Sequence, residues 1–140
     1  MEDTYTIHTD GGSRGNPGPA AVGVFIEQNG KKVHAFGKTI GDTTNNVAEY
    51  TAVIEALGYI KNSFVSRSSI QINFLLDSKL VVEQLNGNYK IKDSKLRSLA
   101  LKIRMLEQEV GGVVTYHSIP REQNKEADRQ VNLALDALSS

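Results

Sequence analysis

Polar and apolar residues alternate from Tyr5 to Asp10 and then give way to a Gly/Pro-rich stretch, Gly11 to Pro19. A period of two followed by chain-breaking residues predicts a strand and a tight connection. Ala20–Glu27 and Lys31–Ile40 flank Asn29-Gly30, whose positive φ values suit a short turn, so a β-hairpin is expected. Strands one to three then form an antiparallel meander. Between Asn46 and Asn62 the period changes. Val47, Tyr50, Ile54, Leu57 and Lys61 recur at three- and four-residue steps, mostly apolar, which predicts a helix with Asn46 as its N-cap.

Ile70, Ile72, Phe74 and Leu76 alternate with Gln71, Asn73 and Leu75 as a fourth strand, and Asp77-Ser78 opens a short helix, Lys79 to Leu85. Ser94 is the expected cap of a longer helix carrying Leu96, Leu99, Ile103, Leu106 and Val110, which Gly111-Gly112 stops. Val113–Ile119 reads as the last strand. Asn124 to Leu138 reads as the last helix, with Ala127, Val131, Ala134 and Leu138 on one face. The order β-β-β-α-β-α-α-β-α predicts an α/β fold: a mixed five-stranded sheet, three strands antiparallel and the others parallel, flanked by helices. Ligands in such sheets gather beyond the carboxyl ends of the strands, near the switch in strand order. Asp10 ends strand one and Asp77 ends strand four, so the two would share one rim if their strands are neighbours.

Composition narrows the function less than the pattern does. The 140 residues suffice for one domain, 1–140, that buries about two thirds of its unfolded surface. No apolar run reaches the roughly 18 residues of a membrane span, and the opening Met-Glu-Asp-Thr-Tyr lacks the features of a signal peptide. The absence of cysteine excludes disulfides and thiolate metal sites and agrees with a cytoplasmic location. Sixteen basic residues balance sixteen acidic ones, so net charge says nothing in favour of nucleic acid. Locally, Lys90, Lys92, Lys95, Arg97, Lys102 and Arg104 face only Asp93, either as a solvated helix face or as phosphate contacts.

Four acids are the candidate chemistry, and each has an ordinary structural explanation. Asp10 could open a turn with Gly11. Glu49 stands three residues after Asn46, as in a capping box. Asp77 could cap the short helix, and Asp128 could answer the dipole of the last one. Taken together they read differently, because carboxylates gathered in one cleft repel unless a divalent cation joins them. Oxygen ligands suit Mg²⁺ or Mn²⁺, and two such ions about 4 Å apart form the clamp used for in-line phosphoryl displacement. The glycine-rich loop has neither the Gly-Lys-Ser/Thr ending of a nucleotide loop nor the glycine spacing of a dinucleotide fold.

Thr9-Asp10-Gly11-Gly12-Ser13-Arg14-Gly15-Asn16-Pro17-Gly18-Pro19-Ala20 closely resembles the opening motif of type 1 ribonucleases H. Thr44-Asn45-Asn46-Val47-Ala48-Glu49-Tyr50, then Leu76-Asp77-Ser78 with Leu80-Val81, then Arg121 through Arg129 resemble the second, third and fourth motifs in order. The last has the form seen in short archaeal and bacterial members, and the similarity runs from about Tyr5 to Leu138. The resemblance implies endonucleolytic cutting of the RNA strand of RNA/DNA hybrids, leaving 3′-hydroxyl and 5′-phosphate ends. It implies two metal ions held by Asp10, Glu49, Asp77 and Asp128, with Asp10 shared between them. It also implies substrate contacts at Gly12, Ser13, Asn16, Asn45, Asn46 and Asn124. A monomer without an obligate protein partner is expected, with no membrane association.

Departures from the family pattern are specific. Arg121 stands where many members carry a flap histidine, and an arginine cannot shuttle protons but can stabilise phosphate charge. His117 is expected to be packed or at the surface rather than a substitute for that histidine. His8, on the Asp10 side of strand one, is expected to be a hydrogen-bonded core residue. Only Asn86 to Asp93 separates the helices between which longer relatives insert a basic handle. A hybrid-binding module ahead of the catalytic domain is not expected, since that domain begins at Met1. The alternatives are the same chemistry extended to double-stranded RNA or RNA–DNA junctions, or a binding module that has lost activity.

Overall fold

The structure, a computed structural model, describes residues 3–63 and 70–138. Strands β1 (Asp3–Ser13), β2 (Gly18–Gln28) and β3 (Lys31–Thr43) form the meander, and β4 (Ile70–Leu76) and β5 (Val113–Ser118) complete a sheet in the order β3-β2-β1-β4-β5. The β2–β3 turn is as expected, with Asn29 at φ 51° and Gly30 at φ 86°. Central β1 runs antiparallel to β2 and parallel to β4. This is the switch point. Its pairing with β4 stops at His8–Leu75, while its pairing with β2 continues to Ser13–Ala20. Beyond His8, therefore, β1 projects past β4 and opens a gap on that side.

Helix α1 (Asn45–Ser63) packs between β1, β2 and helix α3 (Ser94–Val110). Because it is covered on two sides, it buries Ala48, Tyr50, Ala52, Val53, Ile54, Ala56, Leu57 and Ile60, a broader face than its heptad-like pattern suggested. Of these, Tyr50, Val53, Ile54, Ala56, Leu57 and Ile60 form the main core with Ile7, Val24, Ile72 and Phe74. Helix α4 (Lys125–Leu138) covers β1, β2 and β3. It lies on the opposite face of the sheet, through Ala21, Val131 and Leu135. Leu138, expected on its apolar face, is exposed, and Leu135 is buried instead. Among the described residues no helix is long and apolar enough to cross a membrane.

Two caps differ from expectation by one or two residues. Thr44, not Asn46, caps α1: its Oγ1 accepts from the Val47 N–H and its carbonyl from Ala48. Asp93, not Ser94, caps α3 by accepting from the Leu96 N–H at 3.0 Å. Helix α2 (Lys79–Leu85) is capped by Ser78. A 3₁₀ turn at Arg121–Gln123, with no counterpart in the apolar pattern, leads into α4.

Candidate active site

The strand pairing of β1 and the caps of α1 and α2 remove the ordinary explanations for three of the acids. Asp10 lies within β1, paired with Gly23, and not in a turn. Glu49 is five residues past the true cap of α1, outside any capping box. Asp77 precedes the residue that caps α2. Only Asp128, in the first turn of α4, keeps its helix-dipole role as well.

Asp10, Glu49 and Asp77 each present a carboxylate oxygen within 4.8 Å of the others. Asp128, on α4, is not one of this trio but lines the same cleft, as do Gly12, Ser13, Asn45 and Arg121. Burial, followed by the charges of Asp77, Asp128 and Glu49, pushes the Asp10 pKa from 3.8 up to about 8, opposed by a 3.0 Å hydrogen bond from the Gly11 N–H. Glu49 rises to about 7, mainly through burial; the Ser78 hydroxyl and the Arg121 charge hold it down. Ser78 thus caps a helix and steadies an acid, a double role its sequence position does not reveal. The set is all oxygen, and its nearness is unfavourable without a counter-charge. Such a donor set fits a hard divalent cation, and these residues could hold one.

The raised values dictate an unusual pH dependence. Between about pH 4 and 8 the folded protein holds protons on Asp10 and Glu49 that the unfolded chain has released. Without divalent cations, stability is therefore lost as pH rises through that window. Thermal melts in chelator should show Tm falling from pH 5.5 to 8.5, and added Mg²⁺ should oppose the fall because binding favours deprotonated carboxylates. A Tm that climbed steadily with pH in chelator would contradict these raised carboxyl pKa values.

The rim residues separate into two groups. Asn45 Oδ1 accepts from the Ser13 N–H (2.9 Å) and hydroxyl (3.1 Å), and the Asn45 N–H donates to Asn16 Oδ1 at 3.0 Å. The end of β1, the glycine-rich loop and the start of α1 are thereby joined. Asn16 and Asn46 line an adjoining hollow with Thr43, Thr44 and Lys95 rather than the acidic cleft itself. Asn124 is a correction. Its side chain is fully buried and donates to the Thr9 carbonyl and to Asp77, so it cannot be a substrate contact as expected.

The histidines stay outside the acidic cleft. His117 is exposed, 3.0 Å from Thr115 Oγ1, as a surface residue. His8 is only half-buried and packs edge-on against Phe25, instead of forming a hydrogen-bonded core pair. The cationic stretch also fails to form one stripe. Arg97 is tied to the Ile91 and Lys92 carbonyls, Arg104 to Glu107 and the Leu85 carbonyl, and Lys102 lines a separate groove beside His34 and Tyr59. Lys95 alone borders the hollow next to Asn46.

A family model described as reverse transcriptase-like matches residues 8–134. A bifunctional protein of Mycobacterium tuberculosis is 39% identical over 133 residues, covering 94% of this chain and 35% of its own length. A ribonuclease HI of Halobacterium salinarum is 41% identical over 128 residues, covering 91% of this chain and 62% of its own. The chain thus spans between a third and two thirds of the length of these relatives. Among solved structures, LC11-RNase H1, isolated from compost by a metagenomic approach, superposes with a TM-score of 0.91 at 40% identity, covering 98% of this chain and 99% of that one. The same protein has been solved in complex with an RNA/DNA hybrid and superposes with a TM-score of 0.90.

Proposed function

Because this chain belongs to the type 1 ribonuclease H family, we propose that it is an endoribonuclease that hydrolyses the RNA strand of RNA/DNA hybrids. One observation carries the proposal: Asp10, Glu49 and Asp77 each bring a carboxylate oxygen within 4.8 Å of the others'. The solved complex of LC11-RNase H1 with a hybrid supports the substrate class. Asp10, Glu49, Asp77 and Asp128 would hold two Mg²⁺ or Mn²⁺ ions. Bound there, the ions supply Lewis acidity at the scissile phosphate and lower the pKa of water.

The chain's own residues do the rest. Asp10 lies on the projecting end of β1, where a strand of substrate has access from the open side of the sheet. Ser13 donates both its N–H and its hydroxyl to Asn45 Oδ1, which leaves the Asn45 amide N–H groups to meet a 2′-hydroxyl or a base edge. Asn46 and Lys95, in the next hollow, suit a neighbouring phosphate.

Arg121 brings its permanent charge beside Glu49 without being bonded to it and would stabilise charge developing on the phosphate. Arg121→Ala should lower kcat by roughly 10- to 100-fold while KM changes little, below the loss of about 10²–10³ typical of a rigid buried donor. Equal losses in kcat and affinity would make it a simple contact.

The decisive assay is cleavage of a labelled hybrid, with matched duplex RNA and duplex DNA alongside, in Mg²⁺, in Mn²⁺ and in chelator. Cation-dependent internal cuts in the RNA strand, ending in 3′-hydroxyl and 5′-phosphate, are expected. An inert hybrid in both metals would leave only the binding-module reading, and equal cutting of duplex RNA would widen the substrate class.

A further inference from the structure

Asn124 stands immediately before α4, where an asparagine ordinarily turns its Oδ1 onto the N–H groups of the first helical turn. Its backbone behaves that way, since its carbonyl accepts from the Asp128 N–H at 3.1 Å. Its side chain does not. Nδ2 donates to the Thr9 carbonyl at 2.9 Å and to Asp77 Oδ2 at 3.1 Å, and Oδ1 has no partner among the described residues. The amide orientation is set by this chemistry, because a flip would place Oδ1 against two oxygens. A buried acceptor left unmet costs stability, so forgoing the cap demands a compensating role.

That role is visible in what the amide joins. Thr9 precedes Asp10 in β1, Asp77 follows β4, and Asp128 lies one helical turn beyond Asn124 in α4. A single fully buried side chain therefore ties together the three segments that carry three of the four acids. We propose that Asn124 is a positioning residue that locks the Asp77 carboxylate in one orientation, and keeps β1 and α4 in register with it, so that the acids are set for cation binding before the cation arrives. This inference rests on the reading that the acids hold divalent cations. The residues around metal ligands commonly act in this way.

The test is calorimetric titration of Mn²⁺ into wild type, Asn124→Asp and Asn124→Ser, with melting temperatures in chelator and kcat and KM on hybrid. Asn124→Asp keeps the shape but turns a donor into an acceptor facing Asp77, whereas Asn124→Ser keeps a shorter donor. Mn²⁺ affinity should fall roughly 10- to 100-fold in Asn124→Asp and less in Asn124→Ser, with kcat falling more than KM rises. A folded Asn124→Asp that binds Mn²⁺ like wild type would reduce Asn124 to a structural tie and overturn the proposal. Should that variant not fold, unchanged Mn²⁺ affinity in Asn124→Ser overturns it equally, and a weakened one supports it. Wild type that binds no Mn²⁺ would instead refute the metal reading on which the proposal stands.

Discussion

Asp10→Asn is expected to abolish hybrid cleavage, more than roughly 10³-fold, since disturbing only the neighbours of a metal ligand already costs 10- to 100-fold. It should also make the metal-free protein more stable. The two effects have one cause. Asp10 is the acid most disfavoured by burial and, after that, by the charges of the other three, and its pKa of about 8 records how unfavourable its charge is there. An amide keeps the Oδ1 that accepts from the Gly11 N–H but carries no charge, so the repulsion disappears while the backbone contact remains. Each tenfold change in proton affinity corresponds to about 1.4 kcal/mol. After discounting for the coupling among the acids, a gain on the order of 2 kcal/mol at pH 8 in chelator follows. Added Mg²⁺ should stabilise wild type and have little effect on the variant, reversing their order. Hybrid affinity should be retained or improved, because a negative charge facing the phosphates has been removed. Full turnover in Asp10→Asn would remove the residue from the catalytic assignment.

How much of this was legible in the sequence depended on where each residue's partners lie. Ile70–Leu76 was placed to the residue because one face of β4 is buried and the other is not, which writes a period of two. The crossover order left the adjacency of β1 and β4 open; the sheet order β3-β2-β1-β4-β5 supplies it and brings Asp10 and Asp77 to one rim. Caps were harder. Thr44-Asn45-Asn46 and Asp93-Ser94 each offer several capping side chains in succession, and which one caps depends on where the incoming chain turns, a tertiary matter. Asp10-Gly11 has the look of a turn, yet long pairing with β2 keeps it extended to Ser13. Asn124 was misread for a related reason. Its partners, Thr9 and Asp77, are 115 and 47 positions away, so nothing local distinguishes a substrate contact from a buried tie.

Gly11→Ala is the second large effect to expect, and it acts through the backbone. A Cβ at position 11 would lie 2.2 Å from the Ala48 carbonyl carbon, 2.3 Å from its oxygen and 2.4 Å from the Glu49 nitrogen. These are main-chain atoms of α1, which cannot rotate aside, so the helix must move away from β1. That shift opens the main core, to which Ile7, Val53 and Leu57 belong, and carries Glu49 away from Asp10. Overpacking against side chains costs about 1–3 kcal/mol; a backbone clash at this distance should reach or exceed the upper end. A displacement of about 1 Å in a reacting constellation can cost roughly 10²-fold in rate, so activity should collapse even in the fraction that folds. Gly12→Ala supplies the internal comparison, since its Cβ would meet only Val131 Cγ1 at 3.7 Å, an ordinary contact. Denaturant unfolding of the two variants, with kcat on hybrid in saturating Mg²⁺, should show a large stability loss for Gly11→Ala and a small one for Gly12→Ala. Equal stabilities would mean that α1 does not press on β1 as closely as described, and the placement of Glu49 against Asp10 would fall with it.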